Sequence, residues 1–250
     1  MERPVVERNP AERPRPAPGA GDPTSGAGDP TPGVDAPERP MDHIRDPREL
    51  VRVGYDLASH AYRGDTFELA GTGYGYWLDR FTPLLADGAR VLDLGCGNGV
   101  PVARELVKRF AVTGVDLSGV QIARACRLVP EASFLCADMT AVEFPAGSFD
   151  GVVAFYSVFN LPLADQPALI ARVAGWLAPG GRFLAVVGKQ PWTGVEKDWR
   201  GVPGVRMYYS QADVGTYRRW FEQAGLVIEA EGSEPRDGNP GYSVLIARRG

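Results

Sequence analysis

The fold of this chain is decided by residues 90–107, which read RVLDLGCGNGVPVARELV. The apolar run that opens this stretch is typical of a buried parallel strand, and the apolar residues that follow Pro101 recur at helical spacing. The turn between them holds Gly95, Gly97 and Gly99, and glycine permits positive φ and a close approach of the backbone to a ligand. Amides at a helix start favour a negative charge. The sequence therefore predicts a ligand-binding turn, with an anionic group beside it.

The glycine spacing bears on which ligand this turn binds. A dinucleotide-binding turn has the order G-x-G-x-x-G, or ends in Ala. Counted from Gly95, the last position is Val100, and the third glycine comes one residue early, at Gly99. The nicotinamide and flavin interpretations are therefore disfavoured, and a purely structural glycine turn remains the alternative.

Composition limits the classes of function. The chain has 250 residues, 44% of them hydrophobic, which is enough to bury one full core. Its formal net charge is -4 and it has no lysine or arginine cluster, which disfavours a nucleic-acid partner. No apolar run approaches the roughly 20 residues that span a bilayer, and the N-terminus lacks the apolar core of a signal peptide. We expect a cytoplasmic protein with no membrane partner, and the sequence does not indicate its oligomeric state.

The cysteines do not form a recognisable metal or disulfide pattern. Cys96, Cys126 and Cys136 have no metal-ligand spacing, and their odd number argues against a disulfide framework. We expect three buried, reduced thiols and no bound metal.

The first 40 residues differ in composition from the rest. Residues 1–40 are rich in proline and glycine and hold almost no large apolar side chain. Such a segment cannot bury enough surface to offset its ordering entropy, so we expect a disordered tail followed by one domain at residues 41–250. A docking role for the tail is one alternative, and another makes Met41 the natural first residue.

The remaining chain alternates between helix and strand. Helices at residues 48–62 and 76–85 are predicted to cap the domain, within residues 41–85. The alternation that follows predicts an α/β fold, a Rossmann-like, doubly wound and mostly parallel seven-stranded sheet. Its last two strands, at residues 226–231 and 242–247, should form an antiparallel hairpin.

Acidic side chains follow successive predicted strands. Asp93, Asp116 and Asp138 all come at or near strand ends, and Tyr156 ends the fourth strand. Because ligands of such sheets bind at the carboxyl ends of the strands, we expect these side chains to share one site. A single aspartate after a strand is usually a cap or turn former, but three beside a glycine turn favour a functional interpretation.

Four stretches of these elements carry a family resemblance. They are VLDLGCGNG at residues 91–99, VTGVDLS at 112–118, FLCADM at 134–139 and WLAPGG at 176–181. In this order and spacing they resemble the class I S-adenosylmethionine (SAM)-dependent methyltransferases, and among these the bacterial small-molecule enzymes. The resemblance covers residues 55 to 249.

The resemblance implies SAM as cofactor and assigns residues to its parts. The methionine end would lie over the glycine turn, the ribose on Asp116 and the adenine beside Asp138. The fourth strand would end under the cofactor, and the first helix would close over it. The implied cofactor-binding residues are Tyr55, Tyr62, Asp93, Gly95, Cys96, Gly97, Asn98, Gly99, Asp116, Leu117, Gln121, Asp138, Met139, Phe155 and Tyr156. Core packing is the alternative role for Tyr55 and Tyr62.

The implied reaction is transfer of the SAM methyl group to an O or N nucleophile of a small molecule, as in natural-product biosynthesis. Residues 189–210 break the alternation and would form a lid or substrate insert, although packing against the first helix is the alternative. The candidate substrate-binding residues are Tyr156, Asn160, Trp192, Trp199, Tyr208 and Tyr209.

No catalytic base is assigned. Enzymes of this type often carry histidines at three positions that in this chain are Asn160, Gln211 and Tyr242, so those histidines are absent here. Two other functions remain open: a SAM-binding protein that catalyses a non-methylating reaction such as a cyclisation, and a SAM-sensing module without turnover.

Overall fold

The computed structural model describes residues 41–236 and 239–250. The predicted tail at residues 1–40 lies outside the described residues and stays a prediction. The helices and strands, in chain order, are α1 (Pro47–Tyr62), α2 (Gly73–Phe81), β1 (Arg90–Leu94), α3 (Val102–Leu106), β2 (Ala111–Asp116), α4 (Gly119–Leu128), β3 (Ser133–Cys136), β4 (Phe149–Ala154), α5 (Gln166–Trp176), β5 (Leu177–Gly188), β6 (Trp192–Lys197), β7 (Arg206–Gln211), α6 (Val214–Gln223), β8 (Leu226–Arg236) and β9 (Asn239–Arg249).

Seven of the strands form one sheet, in the order β3-β2-β1-β4-β5-β9-β8. β1 pairs in parallel with both β2 and β4, and β9 pairs antiparallel with β5 and β8. The predicted seven-stranded, mostly parallel sheet with a C-terminal hairpin is confirmed. Because the chain leaves β1 in one direction and returns beside it as β4, a cleft opens at the carboxyl ends of these two strands.

Alternate residues of the central strands enter two separate cores. Val91 of β1 and Val153 of β4 belong to the core on the α1 side of the sheet. Leu92 and Val152 belong to the core on the side of α5 and α6. A sheet buried on both faces explains the continuous apolar runs of β1 and β4.

α1 packs against β7 and α4. Asp46 caps the helix, since its side chain accepts a hydrogen bond from the Arg48 amide at 2.9 Å. Gly54 lies where β7 crosses the helix, and a Cβ there would come within 2.7 Å of the Arg206 carbonyl oxygen. The glycine therefore permits the close contact between α1 and β7.

The second helix begins and ends earlier than its predicted bounds of 76–85. It starts at Gly73 because the Thr72 side chain caps it, accepting from the Gly75 amide at 3.2 Å. It ends at Phe81, and Thr82–Leu84 forms a 3-10 turn. The sequence did not indicate Thr72 as the cap because it lies among the glycines at residues 71–75.

Residues 189–210 contain regular structure that the sequence did not predict. β6 and β7 pair antiparallel, from Trp192 opposite Gln211 to Lys197 opposite Arg206, as a separate two-stranded sheet. A 3-10 turn, Trp199–Gly201, lies between them. The role of this insert as a lid or substrate wall stays a proposal.

The expectation of three buried thiols is wrong for two of them. Cys96 is buried, but Cys126 and Cys136 are exposed, and all three are unpaired. Cys126 lies on the outer side of α4, and Cys136 lies on β3, the edge strand of the sheet. No helix among residues 41–236 and 239–250 is long and apolar enough to cross a membrane.

Candidate functional site

The glycine turn lies where β1 ends, beside the cleft. Gly95, Gly97 and Gly99 have φ values of 76°, 54° and 78°. A Cβ at Gly95 would lie 2.2 Å from the Cβ of Ser157, and one at Gly99 would lie 3.1 Å from Cγ2 of Val129. No atom lies within 4 Å of the corresponding position at Gly97. Gly95 and Gly99 are therefore required by packing, whereas Gly97 borders open space.

Three amides of the turn donate hydrogen bonds within the protein. Those of Gly95 and Cys96 donate to the Val115 carbonyl at 2.8 and 3.1 Å. The Gly97 amide donates to the Asp116 carboxylate at 2.8 Å. The following helix, α3, has only five residues. The Asp116 carboxylate therefore occupies one of the donors of the turn, and the expectation of an anionic ligand group beside it stays a prediction.

Two acidic side chains flank the turn: Asp93, which is buried, and Asp116, which is half-buried. Asp93 is 1% exposed, and its Oδ2 is buried without a hydrogen-bond partner among the described residues. Burial and repulsion from Asp116 raise the pKa of Asp93 to about 8. Burial also raises the pKa of Asp116 to about 6, against opposing hydrogen bonds from the amides of Ser118 and Gly97. A carboxylate in such a place is costly unless a cation neutralises it, so the site favours a positively charged ligand.

The third predicted acid, Asp138, is held by the protein. Its Oδ1 accepts from the amide and the hydroxyl of Thr140, both at 2.7 Å. Its Oδ2 lies 3.3 Å from Nε of Arg48, whose other nitrogen donates to Asp165 at 2.7 Å. Arg48 thereby ties α1 to the segments that follow β3 and precede α5.

One cavity brings most of the predicted site residues together. Those lining it are Tyr55, Tyr62, Asp93, Gly95, Cys96, Gly97, Asn98, Asp116, Leu117, Asp138, Met139, Phe155, Tyr156 and Asn160. Gly99 and Gln121 do not line it. Gln121 is fully buried between α4 and α1, where its Oε1 accepts from the Ser59 hydroxyl at 3.0 Å.

The four predicted aromatic residues of the insert differ in burial and in their contacts. Trp199 is 1% exposed, stacks on the Tyr62 ring at 5.4 Å and donates its indole N–H to the Tyr209 hydroxyl at 2.7 Å. The side-chain Nδ2 of Asn160 donates a hydrogen bond to the backbone carbonyl of Tyr208, at 3.0 Å. Trp192 is 41% exposed on β6. None of these four residues lines the cavity, and their role as substrate-binding residues stays a prediction.

Several residues of the cavity were missed in the sequence. They are Arg48, Val51, Arg52, Arg63, Tyr74, Val100, Pro101, Val102, Ser118, Ser157 and Leu161. Arg48 could have been found, because it precedes Val51 by three residues and continues the stripe of α1 that faces the site. Arg63 and Tyr74 carry no comparable periodic signal, since Arg63 follows the last residue of α1 and Tyr74 lies in a glycine-rich stretch.

Within the part of the chain that the structure describes, no group of three or more His, Cys, Asp or Glu side chains is placed to hold a metal ion.

Comparison with known proteins identifies the family. Residues 91–181 match the model of a methyltransferase domain. The chain is 34% identical over 205 residues to the 27-O-demethylrifamycin SV methyltransferase of Amycolatopsis mediterranei (strain S699), an alignment that covers 76% of this chain and 73% of that enzyme. The chain belongs to the class I SAM-dependent methyltransferase family. It is a methyltransferase, and SAM is its cofactor.

Two further similarities are narrower. The methyltransferase is 38% identical over 104 residues to an aklanonic acid methyltransferase of Streptomyces sp. (strain C5), which covers 38% of this chain and 46% of that one. The structure of the 1,6-didemethyltoxoflavin-N1-methyltransferase of Burkholderia thailandensis matches with a TM-score of 0.61 at 21% identity, covering 86% of this chain and 93% of that one. At this identity the structural match shows the fold alone.

The cavity fits the cofactor in its charge and polarity. SAM carries an ammonium group and a sulfonium, and the unpartnered Oδ2 of Asp93 is a buried acceptor for such a cation. Each oxygen of Asp116 accepts one backbone amide, and a carboxylate oxygen has a second lone pair, which leaves acceptors for ribose hydroxyls. Leu117 and Met139 supply apolar surface for an adenine ring. These residues would hold the cofactor.

Proposed function

We propose that this methyltransferase methylates an O or N nucleophile of an aromatic small molecule, of the kind built in natural-product pathways. An aromatic cluster that begins in the cavity carries this proposal. Tyr74 lies 5.1 Å from both Phe155 and Tyr156, measured between ring centroids, and all three line the cavity. The Tyr156 ring also contacts the Tyr242 ring edge to face, with 5.6 Å between centroids. Phe159 stacks on Tyr242 with 4.8 Å between centroids. Such rings offer faces and edges to a planar acceptor.

The relatives support a small acceptor. The two curated enzymes described above are named for 27-O-demethylrifamycin SV and aklanonic acid. A nucleic-acid acceptor is disfavoured by the net charge of -4. We propose Tyr156 and Asn160 as the residues that contact the acceptor, since both line the cavity.

Bound SAM supplies a methyl group on a positively charged sulfur. The protein's own contribution is to fix the acceptor in line with that bond and to exclude water. Asn160 is held for this role, because its Oδ1 accepts from the Tyr55 hydroxyl at 3.2 Å and its Nδ2 donates to the Tyr208 carbonyl. Burial raises the pKa of Tyr55 well above its usual range, so the phenol stays neutral and donates a hydrogen bond. Tyr55 therefore positions Asn160 and does not act as a base.

No histidine is placed to take a proton from the acceptor. His43 and His60 are both exposed, and neither lines the cavity. We propose that the acceptor arrives as an amine or as an acidic hydroxyl that ionises at working pH.

The proposal is tested by following a labelled methyl group. The purified enzyme is incubated with methyl-labelled SAM and with 27-O-demethylrifamycin SV, aklanonic acid or a small-molecule extract, and the products are analysed by mass spectrometry. We expect one small molecule to gain label and the mass of one methylene, and Asp116→Ala to slow the gain. Label in no small molecule, or a product of unchanged mass, would contradict the proposal.

A further inference from the structure

The end of α1 and the residues after it form part of the wall of the cofactor cavity. Tyr62, the last residue of α1, and Arg63 both line the cavity. The glycine turn reaches the same segment, because the Asn98 side chain donates to the Gly64 carbonyl at 2.9 Å. Whatever fixes residues 62–65 therefore fixes this wall of the cavity.

One buried arginine holds this segment from the other side. Arg124 lies on α4 with 4% of its side chain exposed, and it does not line the cavity. One terminal nitrogen donates to the Ser59 hydroxyl at 2.7 Å, in the last turn of α1. The other donates to the Arg63 carbonyl at 2.8 Å and to the Asp65 carboxylate at 2.6 Å. A single side chain therefore ties the end of α1 and the segment after it to α4.

The bond to Asp65 is also the ion pair that neutralises Arg124. The hydrogen bond from Arg124 is the largest of the effects that lower the pKa of Asp65 below its usual value. Arg127, on the same helix, is 62% exposed and lies farther from this carboxylate, at 3.8 Å. Because a buried guanidinium is costly without an acid, Arg124 and Asp65 keep each other in place.

The cluster around Ser59 is not arranged for maximum stability. The Ser59 hydroxyl also donates to Oε1 of Gln121 at 3.0 Å. Arg124 Nε and Gln121 Nε2 are both buried and have no hydrogen-bond partner among the described residues. Unpaired buried donors destabilise a fold, and apolar side chains of similar volume often pack as well or better. Hydrogen bonds have direction, which apolar contacts lack, so the cluster favours one defined position of α1 on α4.

We propose that Arg124 is a positioning residue of the cofactor site. Its bonds hold the end of α1 against the glycine turn, and this fixed wall keeps the bound cofactor in the cavity. A wall that departs more often lets the ligand leave more often, whereas a ligand that enters an open cavity meets the same surfaces. Loss of the Arg124 bonds should therefore act on the dissociation rate of the cofactor more than on its association rate. This role requires only that SAM binds and does not depend on which acceptor is methylated.

The test compares matched arginine variants of the full chain. Arg124→Met removes the bonds but keeps an unbranched side chain, and Arg124→Lys keeps the charge. Arg127→Met is the control for the same helix and the same carboxylate, at an exposed position. Arg249→Met is the control for stability, because Arg249 donates to carbonyl oxygens at the junction of α5 and β5 and does not line the cavity. For each variant, radiolabelled S-adenosylhomocysteine gives association and dissociation rates, and urea unfolding without ligand gives the stability.

We expect S-adenosylhomocysteine to dissociate about tenfold faster or more from Arg124→Met than from the wild type, with an association rate within about threefold. Arg124→Lys should lie between the two, because an ammonium replaces only part of the planar fork. Arg127→Met should match the wild type. Arg249→Met should unfold at lower urea concentration and still release the ligand at the wild-type rate, which separates lost stability from lost positioning.

Asn98→Ala tests whether Arg124 acts through the segment that both side chains hold. Asn98 holds Gly64 from the glycine turn, and within residues 41–236 and 239–250 no hydrogen bond joins its side chain to Arg124. If freeing the segment once is enough, the double variant with Arg124→Met should bind S-adenosylhomocysteine more tightly than the product of the two single losses predicts. Any direct contact of Asn98 with the cofactor is present in both halves of this cycle and cancels. Effects that multiply would show that Arg124 does not act through residues 62–65.

Wild-type dissociation from a folded Arg124→Met would overturn the proposal. So would an acceleration that follows the loss of stability in all variants, Arg249→Met included, since that is the result of a purely structural role. If Arg124→Met does not fold, Ser59→Ala and Asp65→Asn each remove one of the bonds, and each should accelerate dissociation by about threefold while association is unchanged. Unchanged dissociation in both of these variants would then overturn it.

Discussion

The buried Asp93 carboxyl should destabilise the folded protein as the pH rises, and Asp93→Asn should remove this pH dependence. The pKa of Asp93 is about 8 in the folded protein, against 3.8 for an unperturbed aspartate. A carboxyl whose pKa is raised by folding carries no penalty while it is protonated in both states, and it disfavours the folded state once the unfolded state has released its proton. Its penalty is therefore absent below about pH 4, grows as the pH rises towards 8 and is constant above that.

The expected magnitude follows from the size of the pKa shift. One pKa unit corresponds to about 1.4 kcal/mol, so every pH unit between the two pKa values costs the wild type about that much. Between pH 5 and pH 7.5 the accumulated loss is about 3 kcal/mol, which is a large part of the roughly 5 to 15 kcal/mol that stabilise a domain. Asparagine cannot ionise, so the variant avoids this loss.

Urea unfolding of both proteins without cofactor, at several pH values between 5 and 7.5, measures the effect. We expect the unfolding free energy of Asp93→Asn, minus that of the wild type, to increase by about 3 kcal/mol from pH 5 to pH 7.5. Groups common to both proteins cancel in the difference. The cofactor gives an opposite readout: because a cation requires ionised Asp93, wild-type affinity for SAM should rise with pH, and the variant should bind weakly throughout. Parallel stability curves for the two proteins would refute the assignment of a protonated Asp93.

The remaining predictions concern the cofactor acid, the supporting aromatic residues and the histidines. Asp116→Ala should weaken binding of S-adenosylhomocysteine by about tenfold or more in calorimetry, because it removes a carboxylate that can accept charge-assisted hydrogen bonds; unchanged affinity would contradict its role. Trp199→Ala should lower the unfolding free energy by about 3 to 5 kcal/mol, whereas Trp192→Ala, at an exposed position, should cost less than about 1 kcal/mol; equal losses in urea unfolding would show that both side chains pack alike. The double variant His43→Ala, His60→Ala should keep kcat within a few fold, and a loss of about a hundredfold that imidazole restores would reveal a catalytic histidine.

The parts of the site that local chemistry determines were accessible from the sequence. The glycine turn needs positive φ, and a carboxylate at the end of a parallel strand needs only the strand before it, so Gly97, Asp93 and Asp116 could be placed without a structure. Even there the partner of the turn amides was not predictable. Whether they serve a ligand or Asp116 depends on the distance between two strand ends, which only the folded sheet sets.

The parts that depend on packing between distant segments were not accessible. Trp199 and Arg63 lie 136 positions apart in sequence, yet both contact the Tyr62 ring, one by stacking and one through its charge. An aromatic cluster after the fifth strand fits a substrate wall and a support for α1 equally well in the sequence. The two short strands of the insert likewise pair only with each other, and six residues give too few alternations to predict a strand.

Three features that disagree with local rules coincide at the cavity, and their coincidence is informative. Asp93 is a buried carboxyl without a partner for Oδ2, and Arg63 is a buried cation without an acid among the described residues. Tyr156 has a φ of 56°, a strained value for a residue with a side chain. Strain alone does not mark a site, since Asp198 and Arg200 also have positive φ and lie outside the cavity lining. A buried acid and a buried cation that have no oppositely charged partner among the described residues, and that line one cavity with a strained tyrosine, favour a site for a charged ligand.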